Sequence, residues 1–482
     1  MTDIAFHSAV KLARAIKKRE VSSVELLEHY LKRVDAHDPG INAIVVDDRE
    51  RALVCAREAD DALARGEDRG ALHGVPMTVK ESYDVAGLRT TWGIPEFHNN
   101  VATTDAIVVQ RLKNVGAVVF GKTNVPVRLS DFQSYNDIYG ITRNPWDRGR
   151  TPGGSSGGSA AALAAGLTGL EAGSDIGGSI RNPAHYCGVF GHKPTWNLVP
   201  PHGHRVGDTL AGPDIAVVGP LGRSAADLKI SLAVTAGPDE IHARGYKLAL
   251  AKPTQKRLGD FRVAIWKDDA LAPVAREVSA RVEAVAQTFR HAGATVNEAA
   301  RPELAAAHSH DVYRYLLQAT LASRTPDAEF AALQQAAARF APDDRRAGPQ
   351  TVRAQVGTFR DWSTHNEARQ HLRWAWFHFF EQFDVLITPI MASAAFLHDH
   401  RPFGERTVRI NGEERPYFEQ LFWAGLASVA CLPATVIPTG PNEAGLPIGV
   451  QIVGPEFGDL TTIHCAELLE RAGFRFVPPP GG

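Results

Sequence analysis

Cysteine is scarce in this chain: Cys55, Cys187, Cys431 and Cys465 stand far apart, with no Cys-x-x-Cys pair. That spacing excludes a disulfide framework and a cysteine-based zinc site, and it predicts reduced, mostly buried thiols. Net charge is equally lacking. Fifty-two Lys and Arg face 54 Asp and Glu, a formal balance of -2, so there is no basic field for a phosphate backbone. No block of like charges suggests a nucleic-acid arm or a membrane-surface tail. No apolar run reaches the roughly 18 residues of a membrane span. The opening Met-Thr-Asp-Ile-Ala-Phe-His has neither the charged nor the apolar region of a signal peptide. These absences predict a cytoplasmic protein that handles small molecules, with no nucleic-acid or membrane partner.

What the chain does have is glycine next to serine. Between Pro152 and Pro183 it reads Pro-Gly-Gly-Ser-Ser-Gly-Gly-Ser, an alanine-rich stretch, and then Gly-Ser-Asp-Ile-Gly-Gly-Ser-Ile-Arg-Asn-Pro. Glycine clusters permit backbone conformations that a side chain forbids, and they bring N–H groups close to a ligand or a reacting oxygen. A serine in such a place is expected to be well exposed. A phosphate loop would need Gly-Lys-Ser or Gly-Lys-Thr after the glycines, and Ser155 to Ser159 contains no lysine. A flexible linker would not lie between structured segments.

The surrounding pattern is that of an α/β protein. Ser22-Ser23-Val24-Glu25 can cap a helix through about His37, with Val24, Leu27, Tyr30 and Leu31 on one face. A second helix is predicted from about Asp48 to Arg65, a buried strand over Val75 to Val79 ending at Lys80, a helix from Asp105 to Asn114 and a strand over Ala117 to Gly121. Small residues from Ser156 to about Gly166 suit a tightly packed helix. Strands are expected at Phe261 to Trp266, Thr295-Val296 and Phe383 to Thr388, a helix from near Pro273, and a closing pair at Ser428 to Pro438 with Pro447 to Val453. Residues 301–360 carry Ala, Arg and His with weak periodicity and read as peripheral helices. The run Trp374, Trp376, Phe377, Phe379 and Phe380 reads as helix packing. Alternating strands and helices of this kind build a mixed or parallel sheet.

Five ordered segments carry a resemblance: Gly74-Val75-Pro76-Met77-Thr78-Val79-Lys80, Gly121-Lys122-Thr123-Asn124, Thr142-Arg143-Asn144-Pro145-Trp146, the Pro152–Ser159 stretch, and Asp175-Ile176-Gly177-Gly178-Ser179-Ile180-Arg181. Together they resemble the amidase signature family. The likeness continues through Gly188 to Thr195 and returns near Phe383 to Pro389 and Leu446 to Gly454. It implies a Ser-Ser-Lys triad of Lys80, Ser155 and Ser179, with Ser179 as nucleophile, Ser155 as relay and Lys80 as base. It also implies a cis peptide at Gly154-Ser155 and an oxyanion hole of backbone N–H groups from Ile176, Gly177, Gly178 and Ser179. Chemistry agrees with those roles: serine needs a base to take its proton, and lysine is a base only where desolvation lowers its pKa. Asp175 and Arg181 flank the nucleophile as a supporting pair, and Gly154 and Ser156 flank the relay serine.

The fold implied is α/β, a central mixed β-sheet covered by α-helices on both sides. One domain is expected over 1–482, with 300–380 as a variable helical region able to cover the site. The activity implied is cleavage of the C–N bond of a small amide without metal or organic cofactor. Anilides, carbamates and esters are open to the same acyl chemistry, so an aryl acylamidase or urethanase is an alternative. Another is the amidase subunit of a glutamine-dependent tRNA amidotransferase. A homodimer is compatible with the sequence. Departures from the family pattern at Glu81-Ser82, Val127-Arg128 and Trp196-Asn197 leave the pocket wall and the substrate open. His202 with His204, or His398 with His400, lacks a third metal ligand, and Cys187 lacks a partner base.

Overall fold

The computed structural model describes residues 3–481. β1 (Ile44–Asp47), β2 (Pro76–Lys80) and β3 (Val118–Thr123) form a small sheet in the order β1-β3-β2, with β2 parallel to β3 and β1 antiparallel to it. A short hairpin follows, β4 (Tyr135–Asn136) with β5 (Gly140–Ile141). The main sheet contains β6 (Glu171–Asp175), β7 (Phe190–Lys193), β8 (Val217–Gly222), β9 (Arg262–Ile265), β10 (Thr295–Asn297) and β11 (Val385–Thr388). After a second hairpin, β12 (Thr407–Ile410) and β13 (Glu413–Pro416), it is completed by β14 (Ala434–Pro441) and β15 (Pro447–Val453). Its order is β10-β9-β11-β15-β14-β7-β8-β6. The pairs β10-β9 and β9-β11 are parallel and the others antiparallel, so the sheet is mixed, as the resemblance implies.

Strand alternation sorts the core onto the two faces of that sheet. Val263, Ile265, Val385 and Ile387 join one apolar cluster with helices Ala225–Thr235, Arg276–His291 and Asp459–Arg471. Ala264 and Leu386, one residue out of phase, join a second cluster with helices Gly157–Ala164, Arg181–Cys187, Ala306–Ala322, Phe359–Gln382 and Leu421–Val429. Helices therefore cover both faces. Helix Arg276–His291 shows the pattern in sequence: Val278, Val282, Val285 and Phe289 recur on one stripe and are all buried.

Most predicted elements lie where the patterns put them. Ser22 caps helix Ser23–His37 through a reciprocal bond with Glu25. Residues 301–360 hold helices Ala306–Ala322, Asp327–Ala338 and Ala347–Gln355. Two expectations need correction. β3 runs on to Thr123, because Lys122 and Thr123 are polar yet fully buried and so do not read as strand. The strand expected from Ser428 starts at Ala434. The preceding Leu421–Val429 is a helix buried on every side, and a uniformly apolar run has no period that separates helix from strand. No helix among the described residues is long and apolar enough to cross a membrane.

The aromatic run falls within helix Phe359–Gln382, where Trp376, Phe379 and Phe380 are buried while Trp374 and Phe377 face outward. Only part of the run is packing. Trp376 is 0% and Trp374 63% exposed, so Trp376→Ala is expected to lower the unfolding free energy by about 3–5 kcal/mol. Trp374→Ala is expected to change it by no more than about 0.5 kcal/mol. Denaturant titration of both variants checks this, and equal losses would contradict the helix phase.

Candidate active site

Lys80 ends β2, a strand whose five residues are all buried. Strands β2 and β6 pack against each other, which brings the end of the small sheet to the edge of the main one. The Lys80 Nζ donates to Ser155 Oγ at 2.6 Å and to Ser174 Oγ at 2.9 Å. Burial pushes the amine down to about 7, against the opposing pull of Asp175 and Glu171. Neutral hydroxyls solvate the ammonium form poorly compared with water, so desolvation prevails.

The two glycine-rich segments meet beside this amine. The Gly154–Ser155 peptide is cis, as the resemblance implies, and a side chain on Gly154 would run into the Asp131 carbonyl. Gly154 N–H donates to Asn182 Oδ1 at 2.9 Å. Ser156 joins the segments: its N–H donates to the Ser179 carbonyl at 3.1 Å and its hydroxyl to the Ser174 carbonyl at 3.3 Å. Ser155 and Ser179 are thus held side by side through the backbone. The Ser179 hydroxyl itself makes no hydrogen bond to any described residue.

Asp175 and Arg181 form a fully buried pair. Arg181 Nη2 lies 2.9 Å from Asp175 Oδ1 and its Nε 3.0 Å from Oδ2. The same carboxylate accepts from the N–H groups of Gly178, Ile180 and Arg181 at 2.9, 3.0 and 3.3 Å. Burial alone would raise the Asp175 carboxyl, yet the Arg181 charge and the N–H donors hold it down to about 2. These bonds fix the loop around Ser179. Gly178 is in the left-handed region at φ 104, which a side chain would strain.

Within the loop the Gly178 N–H donates to Asp175 Oδ1. The N–H groups of Ile176, Gly177 and Ser179 have no acceptor among the described residues. Ser179 is also not the exposed serine that its glycine neighbours suggest. It is 7% exposed, because two helices lie against the loop. Tyr313 of helix Ala306–Ala322 donates its hydroxyl to the Ile176 carbonyl at 3.0 Å. A Cβ on Gly177 would lie 3.2 Å from Leu421 Cδ2, and one on Gly178 3.3 Å from Ala424 Cβ.

Several participants carry no signal in the sequence. Ser174, although Gly173 precedes it, touches Lys80; Tyr313 bonds the loop; and Glu171 lies buried near the amine; each acts through a segment remote in the chain, which local sequence pattern does not reveal. Among the departures, Glu81 turns from Lys80 and accepts from Thr91 and Trp92 N–H groups, while Ser82 pairs with His204 Nε2 at 2.9 Å. His204 is buried and pushed down to about 3, mainly by desolvation. Cys187 is buried and its thiol is pushed up. Cys55 alone of the four cysteines is exposed.

Removing Arg181 would leave the Asp175 carboxylate buried without its counter-charge. Arg181→Ala is therefore expected to cost about 3–5 kcal/mol of stability at neutral pH, read by denaturant unfolding. In the wild type the Asp175 contribution is present above the ordinary carboxylate value of 3.8 and fades as pH falls toward about 2. A neutral-pH loss below about 1 kcal/mol would contradict the anchoring role.

Comparison with known proteins gives concordant results. The family model described as Amidase matches residues 25–463. An indoleacetamide hydrolase of Bradyrhizobium diazoefficiens is 33% identical over 477 residues, covering 97% of this chain and 86% of the relative. A glutamyl-tRNA(Gln) amidotransferase subunit of Koribacter versatilis is 31% identical over 480 residues, covering 95% and 96%. Among solved structures, a chain from a vestigial protein complex tied to the origins of an s-triazine catabolic enzyme superposes with a TM-score of 0.83 at 27% identity, covering 98% of this chain and 99% of its own. The fold, the glycine-serine segments and these likenesses agree: the chain belongs to the amidase signature family and is an amide-cleaving hydrolase.

Proposed function

We propose that the protein hydrolyses a small amide through an acyl-enzyme on Ser179, with Lys80 as base and Ser155 as relay. The observation that carries this reading is the environment of one amine: Lys80 Nζ is fully buried and spends its hydrogen bonds on two serine hydroxyls, Ser155 and Ser174. Above about pH 7 that amine is uncharged. It takes the Ser155 proton as Ser155 takes that of Ser179, and Ser179 attacks the amide carbonyl. The free N–H groups of Ile176, Gly177 and Ser179 face the developing oxyanion, each such donor being worth on the order of 3 kcal/mol in hydrolases. The proton returns through Ser155 to the leaving amine, and water then releases the acid. In this scheme Gly178 anchors the loop through Asp175 and is not a donor to the oxyanion.

The neighbours of the loop support an apolar acyl group. Leu421 and Ala424 approach the two glycines, and Ile390 Cδ1 would lie 3.9 Å from a Cβ on Gly178. Arg181 is fully occupied by Asp175, Gln451, Ser428 and the Ala424 carbonyl, which leaves it unable to bind a substrate carboxylate. These features favour a simple amide, anilide or carbamate over glutamine. In this reading the chain is one domain in which 300–380 covers the site. In support, Tyr313 bonds the nucleophile loop, and Glu329 pairs with Arg128 at 3.0 Å, linking the cover to the loop after β3.

A panel of primary amides, anilides, carbamates and esters, assayed with the isolated chain, tests this. Lys80→Ala is expected to lower kcat/KM on amides by about 10²–10⁴-fold and to remove a limb of the wild-type profile that rises through about pH 7. Ser179→Ala is expected to abolish acyl-enzyme formation. Full amide turnover by Lys80→Ala across pH would overturn the proton path. Activity confined to glutamine in the presence of a partner protein would favour the amidotransferase assignment instead.

A further inference from the structure

Glu171 is the first residue of β6 and is fully buried. Thr78, two residues before Lys80 and therefore on the same face of β2, bonds Glu171 Oε1 through its hydroxyl. The second oxygen, Oε2, has no hydrogen-bond partner among the described residues. Three other buried carboxylates have a cationic partner: Asp175, Asp459 and Asp131 have Arg181, His192 and Arg406 within 3.1 Å, whereas Glu81, Asp38 and Asp227 are held by backbone N–H groups. Glu171 has no cationic partner among the described residues. An ionised carboxylate in a buried site, with no counter-charge beside it and one oxygen without a partner among the described residues, is strongly disfavoured.

We propose that Glu171 is a positioning residue for Lys80: held as an uncharged acid, it denies the amine a counter-ion and so leaves it free to accept the serine proton. The inference rests on the reading of Lys80 as the base. A neutral Lys80–Glu171 pair and its ion-pair form carry the same net charge, so pH does not choose between them; geometry and burial do. The amine bonds Ser155 and Ser174, not the carboxyl. Burial pushes the Glu171 carboxyl up and the Lys80 amine down, so the two groups titrate close together. The other groups that bear on the pair are fixed in charge near neutrality. Asp175 is locked to Arg181, His204 stays neutral, and burial pushes the Tyr83 phenol well above its usual range. Two interacting groups with such close values titrate as a pair, in two macroscopic steps.

The test compares pH profiles of kcat/KM on a simple amide for wild type and E171Q, alongside infrared difference spectra. The wild type is expected to show two steps, near pH 7 and near pH 8. E171Q is expected to keep the lower step and lose the upper one. A carboxylic-acid carbonyl band present in the wild type at pH 7 should be missing in E171Q. A structural role alone would lower activity or stability without removing a step. Identical profiles in the two proteins would overturn the proposal. So would a lower step that falls by more than about one pH unit in E171Q, which would mark Glu171 as an ionised counter-ion. Should E171Q fail to fold, T78V carries the test, since loss of that hydroxyl should move the upper step to higher pH and leave the lower one in place. Failure of the Lys80 reading is distinguishable: the wild type would then lack the lower step altogether.

Discussion

The desolvation of one amine is the constraint around which the site is arranged. Lys80 sits where a buried strand of the small sheet ends against the edge strand of the main sheet, and both flanking surfaces exclude water. Exposed at the surface, the same lysine would be an ammonium ion at neutral pH and no base at all. The location carries its own cost, because a buried amine needs hydrogen-bond acceptors. Ser155 and Ser174 satisfy it without supplying charge. A carboxylate at that distance would have bound the amine more tightly and fixed its proton.

The second requirement is precision in the loop that carries Ser179. One buried carboxylate meets it: Asp175 gathers three backbone N–H groups and the Arg181 guanidinium. Arg181 in turn reaches Gln451 on β15, in the middle of the main sheet, and Ser428 in helix Leu421–Val429, so the loop after edge strand β6 is tied to the centre of the main sheet. Tyr313 and Leu421 close over it from two helices of the same apolar cluster. The result is a Ser179 loop that is densely bonded, glycine-lined and nearly shut, with the N–H groups of Ile176, Gly177 and Ser179 unpaired among the described residues.

Legibility in the sequence follows from how local each signal is. Lys80 can be placed at a strand end because the apolar run before it is bounded by a glycine on one side and a charge on the other. Ser155 and Ser179 are marked by the glycines beside them, and the Asp175–Arg181 pair by their short separation. Ser174, Glu171 and Tyr313 are not readable, since each acts through a contact with a segment remote in the chain. The resemblance assigns the Gly178 N–H to the oxyanion; its bond to Asp175 is a property of the folded turn. The expected exposure of Ser179 fails for a similar reason: glycines open the backbone, but helices from 306–322 and 421–429 fill the space. The 301–360 stretch reads as helical, although its weak periodicity conceals which face packs inward.

Everything in the site turns on the charge of Lys80, which can be observed without turnover. Lysine labelled with carbon-13 at Cε, followed by NMR through a pH titration and assigned with Lys80→Met, reports that charge directly. One Cε resonance that titrates near pH 7 and is lost in the variant is the expected result. A Lys80 resonance that titrates only near the ordinary lysine value of 10.5 would contradict it.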